Sequence, residues 1–338
     1  MISKADVVVG LAWGDEAKGK ITSSLASRKL LNGKSYYSAV ARWAGGNNAG
    51  HTVFVNGEKY KTHLIPSGVF HNILSIIGPG CVLHPDSFMK EVEYLSNSGF
   101  DTSLIKVSGK CHIVKDEYLA FDKENLAEKF GTTSKGIAPS YAAKAARTGL
   151  LAKDVLSDSF IWNEELRGNI LCEGAQGVWL DLDRGNYPYV TSSTTLPYGA
   201  CSLGFPTQKV SDIWGAAKMY DTRSGEDPMF PDSLFDDPDL SKIGYVGQEY
   251  GVTTGRKRKV NWLNLDFLCK AVALTGTTHL VVSKCDVIQE VGKYKLYHNE
   301  ALVLFDSIKS MQQYIEEEVR SSSSLVDDII FSSSPEVI

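Results

Sequence analysis

The chain has 338 residues, 43% hydrophobic and 22% charged, so it can bury a large core; neither a disordered chain nor a small disulfide scaffold fits it. Thirty-five Lys and Arg against 40 Asp and Glu leave a net charge of −5, which gives no electrostatic reason to expect nucleic acid as a partner, although a local basic pocket could still grip a small phosphate ligand. Six cysteines without CxxC pairing, no basic-then-apolar leader before Val7, and no apolar run near the roughly 20 residues a bilayer requires point to reduced thiols, no membrane span and a cytoplasmic protein.

Along the chain, Val7-Val8-Val9, Ala39-Val40-Ala41, Leu74-Ser75-Ile76-Ile77, Ile170-Leu171-Cys172, Leu280-Val281-Val282 and Ile329-Ile330-Phe331 each stop abruptly in a polar or glycine-bearing loop. Such short runs read as buried strands, mostly parallel, with helical segments such as 88–96 and 307–320 between them. The expectation is a single α/β domain spanning 1–338: a P-loop-like, largely parallel central sheet flanked by helices, with small inserted subdomains. The serines of 321–324 read as a turn and the acidic stretch 232–239 as a solvated loop.

The unusual residues follow those runs: Trp13-Gly14-Asp15-Glu16, Gly45-Gly46-Asn47-Asn48, Glu173-Gly174-Ala175-Gln176, Ser283-Lys284-Cys285-Asp286 and Ser332-Ser333-Ser334. In open parallel sheets ligands bind beyond the carboxyl ends of strands, so five loops far apart in sequence can line one crevice. Gly14-Asp15-Glu16-Ala17-Lys18-Gly19-Lys20-Ile21 precedes a predicted helix over 22–31 and matches the P-loop pattern up to its last position. There Ile21 replaces the Ser or Thr that would hold magnesium, so a metal must be held differently. Backbone amides of such a turn suit phosphate oxygens, with Lys18 or Lys20 to neutralise a transferring group. Taken alone the segment reads equally as a surface turn with solvated lysines, and a lone His51 before the strand 53–55 would more often be structural.

The series settles it. Trp-Gly-Asp-Glu-x-Lys-Gly-Lys at 13–20 and Gly-Gly-Asn-Asn-Ala-Gly-His-Thr-Val at 45–53 resemble the opening of adenylosuccinate synthetases. Further matches follow in family order at 131–137, 146–150, 173–177, 187–193 and 253–258. The resemblance implies a ligase that uses GTP to join L-aspartate to C6 of a purine nucleoside monophosphate through a 6-phosphoryl intermediate, with Mg2+ held by Asp15 and the Gly50 carbonyl. It implies Asp15, His51, Lys18 and Gln176 as catalytic residues, Asp15 being the base that takes the purine N1 proton and His51 the acid that steadies O6. The nucleoside monophosphate falls to Asn48, Thr133, Arg147, Gln176, Thr191, Ser224 and Arg256, and aspartate to Thr253, Thr254 and Arg256. GTP falls to Gly14, Glu16, Ala17, Lys18, Gly19, Lys20, Thr52, Arg258, Lys284, Asp286, Ser332 and Ser334. Arg147 reaching the 5′-phosphate from a second subunit implies a homodimer. In isolation Thr133 and Thr191 would be ordinary turn residues, and the basic run 256–259 a solvated face.

Two departures bear on the substrate. The chain is short, as archaeal synthetases and their viral relatives acting on dGMP are, and Ser224-Gly225-Glu226-Asp227 departs from the family's usual Val-Gly-x-Gly, putting a hydroxyl near ribose and base. The expectation is therefore dGMP, in a host cytoplasm if the chain is viral, with IMP as the alternative. Ala17 and Ala138 stand where the family has glycine. A non-catalytic GTP-binding switch would not need His51, Gln176 or the aspartate loop.

Overall fold

The computed structural model describes residues 1–251, 255–336 and 338. At its centre lie nine parallel strands: β1 (Ile2–Gly10), β2 (Ala39–Arg42), β3 (Leu74–Ile77), β4 (Ile105–Ser108), β5 (Ile161–Trp162), β6 (Gly168–Glu173), β7 (Val210–Lys218), β8 (His279–Ser283) and β9 (Asp328–Phe331). Their spatial order is β9-β8-β7-β1-β6-β2-β3-β4-β5, so the chain winds to one side of β1 and then returns across it to build the other. All six apolar runs form strands of this sheet. The other three were harder to read: β5 is two residues long, and β7 begins with polar, partly exposed positions.

The apolar runs are nearly continuous because both faces of the sheet are covered. Alternate side chains of one strand enter different cores. Val7 and Val9 pack with Ala39, Ala41, Leu280 and Val282 under the helices Leu265–Thr275 and Ile308–Ser322. Val8, Val40, Leu171 and Val281 pack with Ile21 and Leu25 of the helix Lys18–Ala26 on the opposite face. A further core under the helix Pro85–Asn97 joins Phe88 and Leu95 to Ile105 and Val107 of β4.

Between strands the chain inserts small units: the hairpin His51–Val55 and Glu58–Thr62, the helices Asp116–Asn125, Ala127–Phe130 and Ile137–Ala146, and a four-stranded sheet of Tyr220–Arg223, Lys259–Asn264, Lys295–His298 and Ala301–Leu304. Three local expectations need correction. The helix expected over 22–31 begins at Lys18 and ends at Ala26, because the turn at Asn32-Gly33 folds the chain back so that Lys29 bridges Ser35, leaving Leu31 in solvent. The last helix runs through Ser321 and Ser322, whose neighbour Val319 carries it on a buried face. In the acidic stretch, Asp237 caps a helix opening at Pro238, its carboxylate accepting from the amides of Asp239 (2.8 Å) and Leu240 (3.0 Å).

At the carboxyl edge, register puts Arg42 beside Glu173, and Gly174 continues the ladder by donating to the Val8 carbonyl at 2.9 Å. A Cβ on Gly174 would stand 2.5 Å from that carbonyl oxygen and 2.9 Å from the buried Trp43 ring. Gly174→Ala should therefore lower the unfolding free energy by about 2–3 kcal/mol. The check is a lower urea midpoint with unchanged slope; an unchanged midpoint would mean the edge yields to the methyl group.

Candidate active site

The loops after β1, β2, β6, β8 and β9 all emerge at this edge. Among the described residues a cavity of about 1030 Å³ opens there, more than one small ligand needs. Lys18, Lys20, Lys59, Lys61, Arg223, Arg256, Arg258 and Lys284 line it, against only Asp15, Asp122 and Asp286. A protein of net charge −5 thus encloses a cationic cleft suited to phosphates and carboxylates.

Its floor is the loop after β1. Gly14, Asp15 and Ala17 all have positive φ (91°, 62° and 70°), so the chain turns sharply between β1 and the helix behind it. For Asp15 and Ala17 this conformation costs about 1–2 kcal/mol each, since a Cβ crowds the following carbonyl; Gln176 (56°) and Lys284 (67°) on the facing loops carry the same strain. Backbone strain of this kind concentrates where a fold is held for ligands. The helix behind the loop has no side-chain N-cap and no acid in its first turn, so its leading amides are available to an anion.

The Glu16 side chain, expected among the GTP contacts, is put to another use. Fully buried, it accepts from the amides of Gly14 (2.6 Å) and Ala12 (3.2 Å) and pairs with Lys18 Nζ at 2.6 Å, so it braces the loop from within. Lys20 Nζ donates to Ser332 Oγ (2.8 Å) and the Ser334 carbonyl (3.0 Å), tying the loop to the turn after β9. Ser332 thereby stands behind the cavity wall, and Ser334 lines it. Ile21 is wholly buried in the core.

Gly19 brings the next group in. A Cβ there would meet the Cβ of His51 at 3.0 Å, so its absence lets the hairpin that begins at His51 lie directly on the phosphate loop. His51 and Asp15 consequently line one cavity. His51 Nδ1 is hydrogen-bonded to Glu173 Oε1, while Glu173 Oε2 accepts from the Ser67 amide at 2.8 Å. Burial, helped by the charges of Arg42 and Lys18, pushes the imidazole below its ordinary pKa, with Glu173 opposing. Against burial that would raise it, His51, Arg42 and the Ser67 amide hold Glu173 below the usual carboxylate range. The pair is therefore a carboxylate that orients the imidazole through Nδ1 and leaves Nε2 for chemistry. Sequence reading quoted Glu173 without giving it a role; the available signal was a charged residue ending an apolar strand, as Arg42 does on β2.

Of the other expected site residues, Gly14, Ala17, Gly19, Asn48, Gly50, Thr52, Thr133, Gln176, Thr191, Ser224, Arg256, Arg258, Lys284 and Asp286 line the cavity. Gln176 Oε1 is buried without a hydrogen-bond partner among the described residues, an acceptor that a ligand can satisfy. Ser224 Oγ donates to Asp15 Oδ2 at 3.3 Å, and Arg258 Nε pairs with the same oxygen at 3.0 Å. Arg147 is exposed at the end of the helix Ile137–Ala146 and does not line the cavity of its own chain. Thr253 and Thr254 lie outside the described residues. For a hard cation at the loop after β1 the expected donors, Asp15 and Gly50, both line the cavity; no cluster of three metal-ligating side chains exists among the described residues. That donor set fits Mg2+ only if phosphate oxygens and water complete the shell.

Burial lowers the Lys20 ammonium to about 8 from its usual 10.5. The bare protein should therefore lose a cation from the phosphate loop as pH rises through 8, and GDP affinity measured by calorimetry should fall across that range. Lys20→Arg, charged throughout, should flatten the profile; an unaltered slope would remove Lys20 from phosphate binding.

The sequence model of the adenylosuccinate synthetase family matches residues 7–169 and 158–302. Adenylosuccinate synthetases of Listeria welshimeri and of a Geobacillus species are each 36% identical, the alignments covering 86% of this chain and 79% of theirs. Among solved structures, the fully ligated adenylosuccinate synthetase of Plasmodium falciparum superposes with a TM-score of 0.80 at 24% identity, covering 98% of both chains. The succinoaminodeoxyadenylate synthetase of cyanophage S-2L, bound to dGMP and to dATP as an energy donor, does so at 0.73 and 18%, covering 99% of this chain and 94% of that one. No helix among the described residues is long and apolar enough to cross a membrane. With the motifs, the fold and the family match in agreement, the chain belongs to the adenylosuccinate synthetases, ligases that form a C–N bond.

Proposed function

We propose that this ligase joins L-aspartate to C6 of dGMP with GTP as phosphoryl donor, giving 2-amino-2′-deoxy-N6-succinyladenylate, GDP and phosphate. Oxide is a poor leaving group, so O6 first takes the γ-phosphoryl group. Asp15 accepts the N1 proton as O6 attacks, and His51, held through Nδ1 by Glu173, donates a hydrogen bond to the developing charge from Nε2 as the protonated ring. Phosphate then leaves C6 as the aspartate amine adds. Asp15 and the Gly50 carbonyl would hold Mg2+, which supplies charge neutralisation between the phosphates when bound. Asp286, in the cavity beside Lys284, suits guanine, because a carboxylate accepts from both guanine N1–H and its 2-amino group, neither of which adenine carries.

The observation that carries the choice of purine is the 3.3 Å contact between Ser224 Oγ and Asp15. A base working at N1 has the C2 substituent as its immediate neighbour, so a hydroxyl on that base is an acceptor for a 2-amino group. IMP carries only hydrogen there. The names of relatives 36% identical favour IMP, which is the second reading. With GTP, Mg2+ and aspartate supplied, dGMP should exceed IMP in kcat/KM by about tenfold or more, and Ser224→Ala should narrow the ratio by a similar factor. Chromatography of the products decides it; consumption of IMP alone overturns dGMP.

Arg147 fits a second expectation, a site completed across a homodimer, since it is exposed and away from its own cavity. Asp15→Asn and Arg147→Leu proteins should each be inactive, and mixing them after mild dissociation should recover up to about one quarter of wild-type activity. That recovery follows from random reassortment producing one intact site per mixed dimer. No recovery, with mixed dimers present by native mass spectrometry, would confine each site to one chain.

A further inference from the structure

Behind the cavity wall lies a chain of four alternating charges, of which only Asp15 and Arg258 reach the cavity. Glu249, 1% exposed, accepts from Lys218 Nζ (3.2 Å) and the Tyr220 hydroxyl (2.7 Å) through Oε1 and from Arg258 through Oε2 (2.5 Å). Arg258 in turn pairs with Asp15 at 3.0 Å. We propose that Glu249 is a positioning residue for Arg258: it keeps the guanidinium in place at the phosphate loop when Asp15 exchanges that ion pair for ligand, so that Arg258 can meet the nucleoside triphosphate.

Two carboxylates share one guanidinium, and they are unequal. Glu249 is fixed from three sides in a dry interior, and Lys218 and Arg258 outweigh its burial to hold it ionised, down to about 2. Asp15 is 27% exposed on a strained loop and has other work to do. When a ligand claims Asp15, Glu249 is the partner that stays. Arg258 would otherwise be drawn along with Asp15 or released into solvent, losing the pre-organisation that makes a guanidinium useful to an anion.

A plainer role would be to hold residues 249–251 against 255–258. The main chain already does this: the Arg258 amide donates to the Glu249 carbonyl at 3.0 Å, Tyr250 bridges Lys257, and the Gly251 amide donates to the Arg256 carbonyl at 2.8 Å. None of these bonds needs the Glu249 side chain. What only the carboxylate supplies is its hold on Arg258 and the neutralisation of Lys218, and the two can be separated.

Glu249→Asp keeps the charge that Lys218 needs but shortens the reach to Arg258. Glu249→Gln with Lys218→Met removes both buried charges, so no cation is stranded. Each should bind GDP about 10- to 100-fold more weakly by calorimetry, the usual scale for losing a group that orients a ligand contact. KM for GTP should rise likewise, with KM for aspartate moving less than about twofold. Arg258→Gln should reproduce the GDP defect, and adding Glu249→Asp to it should cost nothing further. Wild-type GDP affinity in Glu249→Asp overturns the proposal, as does an equal rise in the two KM values, which would mean loosened pairing of 249–251 with 255–258. The inference rests on reading Arg258 as a contact of GTP. Because GDP binding is measured without any purine monophosphate, it survives a preference for IMP, and a wild-type protein that binds no GDP defeats the functional reading before Glu249 is touched.

Discussion

A carboxylate sunk at the end of a strand is the constraint on which this site depends. Glu173 is fully buried beside Arg42, in register with it across two parallel strands, and an ion in that position is stable only with its neighbours in place. It obtains two hydrogen-bonded partners from distant parts of the chain, the Ser67 amide and the His51 ring on the inserted hairpin, and the nearby positive charge of Arg42 on β2 adds to them. The requirement works in both directions. Satisfying Glu173 forces the hairpin down onto the phosphate loop, and only a glycine at position 19 leaves room for it to arrive. His51 is thus placed by the electrostatics of the sheet edge rather than by its own strand.

The same logic explains why parts of the molecule could be read from residues alone and others could not. Strands buried on both faces announce themselves as apolar runs, so the six runs all found their places in the central sheet, and the loops that follow five of them met at one edge. The short strand Ile161–Trp162 and the polar start of β7 carry no such mark. Within the loops, sequence identifies which residues are unusual but not which way they turn. Asp15 and Glu16 are adjacent acids, yet a left-handed turn at Asp15 leaves one carboxylate at the cavity and the other locked on the amides of Gly14 and Ala12. Glu249 and Lys218 are invisible for a further reason: each looks like an ordinary surface charge until the fold buries both.

Buried charge is expensive, and its distribution here follows a pattern. Glu16 pairs with Lys18, Glu173 with His51, and Glu249 with Lys218 and Arg258, so the loop after β1, His51 and Arg258 each have an internal carboxylate that does not line the cavity. The groups that do face the cavity are then mostly cations held from behind. Holding them this way keeps the cleft positive without leaving long side chains free to search, which lowers the entropy that ordering them would cost when phosphates bind.

Asp15 is the exception, because under the proposed mechanism its present partners are groups that the reaction would have to displace. Arg258 and Ser224 both contact Oδ2, and a carboxylate occupied in this way is a poor metal ligand and a poor base. In the proposed reaction these two partners answer to different substrates. Arg258 is the group a triphosphate would recruit, whereas Ser224 is the group a 2-amino purine would recruit. If the proposed roles hold, Asp15 would become fully available only when both had been drawn away, so one carboxylate would register whether donor and acceptor nucleotides are bound. A purine without the amino group would leave Ser224 where it is, and discrimination would then appear in the rate of the chemical step as well as in binding.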